Sequence, residues 1–272
     1  MADQPFTIPA AIHPPADSLE RGYRWRSVPQ PDGSELSVQV PLTAADFLNP
    51  QEGDVMPEST FHEAATTDLR DMLRLRYAAD PTTAVFHDLI VRWGISDVPD
   101  PAPDIAVVPN VGDRDKNRSV FHVLEEGTRP VLIVEVGSPH YRKQDLIDKV
   151  DIYETAGVQE YIILEQREQR GQMVDLITGY RLVEGRYRPI LLEDDGRMRL
   201  RTVGLYIGLQ AGKVVLEDVT TGERLRNAEE SEAARIEAEQ RAQAESSARA
   251  ELEAKLQGLE AELARFRAGP RD

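Results

Sequence analysis

Apolar positions along the chain change their spacing several times, and each change predicts a different element. Between Glu58 and Ala79 there is no Gly or Pro, and Phe61, Ala65, Leu69, Met72, Leu73 and Tyr77 recur at steps of three and four. That spacing predicts an amphipathic helix. Just upstream, Thr43 is placed to cap a short helix through Phe47, which Asn49-Pro50 ends. Beyond Asp80-Pro81 the pattern turns to short β-rich runs separated by Pro, Gly and Asp. Val85 to Trp93 is the first predicted strand, and Ile105 to Val108 follows the Pro-rich turn Pro99 to Pro103. Val131 to Val136 reads Val-Leu-Ile-Val-Glu-Val, a continuous apolar strand of the kind covered on both faces. Lys143 to Ala156 predicts a second helix with Gly157 as its C-terminal cap, feeding a strand over Tyr161 to Leu164.

From Met173 to Arg226 short strands alternate with Gly-containing turns at Gly179, Gly185, Gly212 and Gly222, which predicts a β-meander extension. Ala228 to Ala268 is rich in Ala, Glu and Arg, and Leu252, Leu256, Leu259, Leu263 and Phe266 alternate steps of four and three, as in a coiled-coil seam. Carried backwards, the register places Arg249, Glu245, Ala242 and Ala238 in the seam, so a solvated single helix is the competing reading. Residues 1–41, crowded with Pro5, Pro9, Pro14, Pro15, Pro29 and Pro31, read as an unstructured arm. The expected organisation is that arm, a domain over 42–226 and a C-terminal helix over 228–268.

Composition narrows the chemistry. With 272 residues, one sizeable domain plus appendages is expected. No window approaches a run of about 20 apolar residues, and Met1 to Ala16 lacks a signal-peptide layout, so a cytoplasmic protein with no membrane partner is expected. The chain has no cysteine, which removes disulfides, zinc ribbons and thiol nucleophiles and leaves carboxylates or His to hold any metal. Oxygen ligands favour magnesium or manganese. A net charge of −16 argues against a general nucleic-acid coat but leaves room for a local basic groove.

Two carboxylates stand out by context. Asp104 sits at the mouth of the strand Ile105 to Val108, and Glu135 lies inside an apolar strand, where an ionised carboxylate is costly unless a cation or donor compensates it. A metal is one such compensation; a turn cap at Asp104 and an Arg partner at Glu135 is the other. Downstream, Asp145, Lys149 and Tyr153 are four apart and share one side of the predicted helix, where Asp145 and Lys149 could equally form an exposed ion pair. His62, His87, His122 and His140 lack zinc-protease spacing, no Gly-rich phosphate loop occurs, and Ser138 lacks a nucleophile-elbow pattern. Arg114, Lys116 and Arg118, with Arg142 and Lys143, are basic groups near the acidic pair that could contact phosphates or lie in a solvated loop.

At these residues the chain resembles the Uma family of restriction-endonuclease-like proteins, within the PD-(D/E)xK nuclease superfamily. The segments that carry the likeness are Pro103-Asp104-Ile-Ala-Val-Val, Ile133-Val-Glu135-Val-Gly-Ser138-Pro139, Asp145-Leu-Ile-Asp-Lys149-Val-Asp-Ile-Tyr153 and Ala156-Gly-Val-Gln-Glu160-Tyr161. The resemblance implies an α/β (α+β) fold, a mixed central sheet flanked by helices. It implies Asp104 and Glu135 as ligands of one or two magnesium (or manganese) ions, Lys149 as the group that orients water or stabilises the phosphorane, and Glu63 facing inward as a further ligand. The superfamily pattern carries Lys two positions after the Glu; here that position is Gly137, and Lys149 stands in from the helix. The hairpin expected before the first long helix is replaced by residues 49–57. The function so implied is a metal-dependent endonuclease acting on DNA, with the C-terminal helix forming a homodimer. The rival is a nuclease-shaped but inactive domain that acts as a binding or assembly module through its coiled coil.

Overall fold

The computed structural model describes residues 22–56, 58–137 and 147–267, apart from the side chain of residue 266. Within them the chain separates into two compact units, divided between Leu225 and Arg226.

The first unit opens with an antiparallel hairpin, β1 (Tyr23–Pro29) and β2 (Glu35–Pro41). This corrects the reading of residues 1–41 as one unstructured arm, and it supplies a hairpin ahead of the first long helix. Pro29 and Pro41 sit at strand ends and Pro31 in the turn, where a missing N–H breaks no interior rung of the ladder. The hairpin is tied to the following loop by the Tyr23 and Val55 backbones, which exchange 2.9 Å hydrogen bonds, and by Arg24, whose Nε and terminal nitrogen bracket Asp54 at 2.5 and 2.6 Å. Helix α1 (Ala44–Leu48) is closed by a Thr43/Asp46 capping box, and α2 (Thr60–Arg76) starts at Ser59, whose hydroxyl accepts from the His62 N–H.

The predicted strand Val85 to Trp93 is two strands in different sheets, β3 (Ala84–His87) and β4 (Ile90–Arg92). Asp88 breaks the run by adopting the left-handed region at φ +50°. The remaining elements are β5 (Ile105–Val108), β6 (Val120–His122), α3 (Val123–Glu126), β7 (Leu132–Gly137), α4 (Lys149–Ala156), β8 (Glu160–Gln169), β9 (Gln172–Val183), β10 (Arg186–Pro189), β11 (Met198–Leu200), β12 (Leu205–Gln210) and β13 (Lys213–Asp218). Residues 143–146, the start of the predicted second helix, lie outside the described residues, as does Asp145.

Among the described residues the central sheet is six-stranded and mixed, in the order β10-β9-β8-β7-β5-β3, with β7 and β8 parallel and the other neighbours antiparallel. The parallel pair is joined across α4, which ends at Gly157 in the left-handed conformation that a C-terminal cap requires. The expected single meander divides. β9 and β10 extend the central sheet, whereas β11, β12 and β13 form a separate antiparallel sheet.

All six residues of β7 are buried, because both faces of the sheet are covered. Leu132, Val134 and Val136 pack with Ile105, Val107, Ile162 and Leu164 against Leu69, Met72 and Leu73 of α2 and Leu205, Ile207 and Leu216 of the small sheet. Ile133 packs with Ala106, Val108, Tyr161 and Ile163 against Ile152, Tyr153 and Ala156 of α4 and against Val91, Trp93 and Phe121. Alternation along β7 therefore aims Glu135 at the α4 side.

In the second unit, α5 (Ala228–Arg267) begins with Asn227, whose side chain accepts from the Glu230 N–H. Leu252, Leu256, Leu259 and Leu263 are all exposed along it, while Arg235 pairs with Glu232 and Glu239 on the same helix. Among the described residues no helix is long and apolar enough to cross a membrane.

Candidate active site

β5 and β7 run antiparallel with Ile105 opposite Val134, so the residue before β5, Asp104, falls opposite Glu135 at the same end of the sheet. The Val136 N–H donates to Asp104 Oδ2 at 2.6 Å, which ties the first acid to the strand that carries the second. Both are buried, Glu135 to 2% exposure.

Each acid has its own cation. Lys149, at the first turn of α4, places Nζ 2.9 Å from Glu135 Oε2, and Tyr153 one turn later donates its hydroxyl to Oε1 at 2.7 Å. The spacing of four that puts Lys149 and Tyr153 on one side of the helix thus grips both oxygens of one carboxylate. Lys149 is itself buried and pairs with the strand acid, so the expectation of an exposed lysine is corrected, while Asp145, the partner it was set beside, lies outside the described residues. His62 Nε2 lies 3.1 Å from Asp104 Oδ2, with Nδ1 3.1 Å from Glu58.

The charges are strongly coupled. Burial alone would lower the His62 pKa, but the hydrogen bond and charge of Asp104, helped by Glu58, push it up to about 9, so the imidazole is cationic at neutral pH. Burial would raise Asp104; the His62 hydrogen bond and charge, the Lys149 charge and the Val136 N–H together hold it below the usual carboxylate range. Partial burial and the Asp104 charge push neighbouring Asp88 upward. The site is thus a pair of acids flanked by two cations, and Lys149 is close enough to act on both acids.

Gly137, at the position where the superfamily carries its Lys, is spoken for. A Cβ there would lie 2.7 Å from Cγ of Glu165, the residue opposite it on β8. Glu165 is buried and held by Arg167 at 2.6 and 3.1 Å.

A family model described as "Putative restriction endonuclease", Uma2, matches residues 51–214, more than half of the chain. The chain belongs to the Uma2 family. It is also similar to a crystal structure described as a putative nuclease belonging to DUF820 from Anabaena variabilis, at 15% identity and a TM-score of 0.40, over 60% of this chain and 91% of that one. No curated protein matches.

Within this Uma2 domain, Asp104, Glu135 and Lys149 come together, and Glu63 does not join them. Glu63 is exposed on α2. The inward phase of that helix is His62, Ala65, Thr66, Leu69, Met72 and Leu73. His62 therefore replaces Glu63 at the site, and its place in the apolar spacing was the signal that could have found it. Tyr153 carried a sequence signal, its step of four from Lys149. Asp88 and Glu165 carried none: Asp88 follows β3, whose pairing with β5 brings it near Asp104, and Glu165 comes opposite Gly137 only through the pairing of β7 with β8. Burial of an acid is not by itself a site signal here. Glu160, fully buried on β8, is satisfied by Arg181, the Arg201 and Thr202 N–H groups and the Thr202 hydroxyl, a closed structural role.

The donor set fits a hard divalent ion at Asp104, while at Glu135 the ion has to share the oxygens with Lys149 and Tyr153. Asp104 Oδ1 makes no hydrogen bond among the described residues, and two carboxylates are the usual protein share of a magnesium site that is completed by water and phosphate. Among the described residues no group of three or more His, Asp or Glu is arranged around a common point.

Proposed function

We propose that this chain is a magnesium- or manganese-dependent endonuclease that hydrolyses DNA phosphodiester bonds at Asp104, Glu135 and Lys149. The observation that carries the reading is the Lys149 ammonium 2.9 Å from Glu135, supplied from helix α4 in a chain whose motif position, Gly137, has no side chain. When bound, the ion supplies polarisation of the scissile phosphate and a lower pKa for the attacking water.

The chain's own residues do the rest. Asp104 and Glu135 would hold the ion. Tyr153 fixes the rotamer of Glu135 through Oε1, so that Oε2 faces the site. Lys149 supplies a fixed positive charge where negative charge grows on the phosphate oxygens in the transition state. The Val136 N–H and His62 hold Asp104 through Oδ2, so that Oδ1 would be the oxygen open to the ion. α5 pairs with a second copy through its Leu252 to Leu263 stripe, which brings two sites to one duplex.

A second reading, the inactive assembly module, is supported by the same ion pairs. Lys149 and His62 already compensate both buried acids without a metal. Calorimetric titration of magnesium and manganese into wild type and Glu135→Gln, with cleavage of plasmid DNA measured alongside, separates the two. The endonuclease reading expects metal binding and cleavage in wild type, with both lost in the variant. Wild type that binds neither ion and leaves DNA intact supports the module.

A further inference from the structure

The protein is acidic as a whole, yet one cleft is cationic. It has a volume of about 560 Å³ and runs along the outer side of β3, the edge strand of the central sheet, between the C-terminal part of α2 and the loop 114–118. Four of its lining residues are Arg or Lys (Arg74, Arg114, Lys116, Arg118), and Asp115 is the one carboxylate. In a chain with 48 acids and 32 bases this reverses the average balance.

Not every cation is available. Arg118 is spent on Glu126, which it grips at 2.7 and 3.1 Å, and its guanidinium lies over Phe86 as part of the wall. Arg114 donates to the carbonyls of Tyr77, Ala78 and Asp80 at 2.6 to 3.3 Å. Those are neutral acceptors, so its charge is fixed in place rather than cancelled. Asp115 lies 3.7 Å from it but is 89% exposed, where screening makes such a pair weak. The Lys116 ammonium makes no ion pair or hydrogen bond among the described residues, and Arg74 makes one 3.4 Å bond to the Val85 carbonyl. Three positive charges therefore face the cleft with little to offset them.

The cleft also leads to the acids. His87, which lines it, ends β3 and pairs with Ile105, the residue after Asp104. The four residues of β3 cover roughly 13 Å at about 3.3 Å per residue. That is the length of three or four nucleotides at about 3.4 Å of rise per strand. A small anion would occupy one cation; an array spread over this length, ending at the acidic pair, suits a chain of phosphates.

We propose that this cleft is the track for the sugar–phosphate backbone of the nucleic-acid strand beside the scissile phosphate, with Lys116 and Arg74 contacting phosphates and Arg114 as a fixed charge beneath them. The inference rests on the nuclease reading of the neighbouring site and adds where its substrate lies.

The test is fluorescence anisotropy with full-length protein and a labelled DNA duplex of about 20 base pairs, roughly two helical turns, in calcium to suppress cleavage. Affinity is measured across a salt series for wild type, for Lys116→Ala/Arg74→Gln, and for a charge-matched control, Lys213→Ala/Arg199→Gln, on the small sheet. The cleft variant is expected to bind at least about tenfold more weakly, with the slope of log affinity against log salt shallower by roughly 1.8, two lost phosphate contacts at about 0.9 each. The control is expected to match wild type. Equal losses in both variants, or none in the cleft variant while wild type binds, overturn the track and leave the nuclease reading standing. Wild type that neither binds nor cleaves DNA overturns both. Melting temperatures of the variants within a few degrees of wild type exclude unfolding as the source of a loss.

Discussion

Gly137 and Glu165 face each other across the parallel strands β7 and β8 so closely that a Cβ on the first would stand 2.7 Å from Cγ of the second. Because Glu165 is buried and pinned by Arg167, it has little room to withdraw. The glycine is therefore required by its neighbour, and a lysine at this position is sterically blocked. Gly137→Ala is expected to destabilise the domain by about 1–3 kcal/mol, the usual cost of forcing extra volume into packed structure. In the background Glu165→Ala the same change should cost less than about 0.5 kcal/mol, within the limit for uncoupled sites. A double-mutant cycle by urea denaturation checks this; additive losses would show that the two positions do not compete for space.

Lys149→Ala removes the cation from a carboxylate that is 2% exposed. Leaving one partner of a buried pair unpaired costs about 3–5 kcal/mol. The variant is expected to lose both cleavage and stability, and Lys149→Met with Glu135→Leu should recover most of the stability and none of the cleavage. Denaturation of the three proteins measures it. A Lys149→Ala protein as stable as wild type would place the ammonium away from Glu135.

His62 carries a pKa raised from about 6.5 to about 9, so the folded state holds its proton more tightly than the unfolded chain. The stability this contributes is fully present below the unfolded pKa and is lost as pH rises through the folded one. A shift of this size corresponds to about 3 kcal/mol at about 1.4 kcal/mol per unit. Stability should therefore fall between about pH 6.5 and 9 in wild type, and the fall should largely vanish in His62→Gln. Asp104, held low by the same contact, adds stability that is lost as pH falls below the ordinary carboxylate range. Melting temperatures across pH 3 to about 10 test both limbs, and an unchanged alkaline limb in His62→Gln would refute the His62 assignment.

The stripe Leu252, Leu256, Leu259 and Leu263 is 51 to 62% exposed on α5. Burying each leucine against a partner is worth roughly 1.5–3 kcal/mol. Full-length protein is expected to be dimeric, and a chain ending at Asn227 monomeric and folded, because α5 belongs to a separate compact unit. Multi-angle light scattering decides it; the same subunit number for both lengths would remove the helix from assembly.

Elements whose signal is local were legible in the sequence. The amphipathic face of α2, the apolar run of β7, the Gly157 cap and the acid buried inside β7 are each written within a few residues, because periodicity and burial cost act at that range. The four-residue step that brings Lys149 and Tyr153 to one side of α4 was equally legible. Which acid they meet was not. Glu135 lies 14 residues before Lys149, and the contact exists only once β7 and α4 have packed. The His62 and Asp104 pair spans 42 residues, the gap between their numbers, and depends on how α2 enters against the sheet. The same holds for the split of residues 85–93 at Asp88, the division of the expected meander between two sheets, and the hairpin 23–41 beneath its prolines. Strand partners and ion-pair partners are chosen by the geometry of the closed sheet, which assembles residues far apart in sequence. Helix phase already turns His62 inward and Glu63 outward; tertiary structure alone could decide that the group His62 meets there is Asp104.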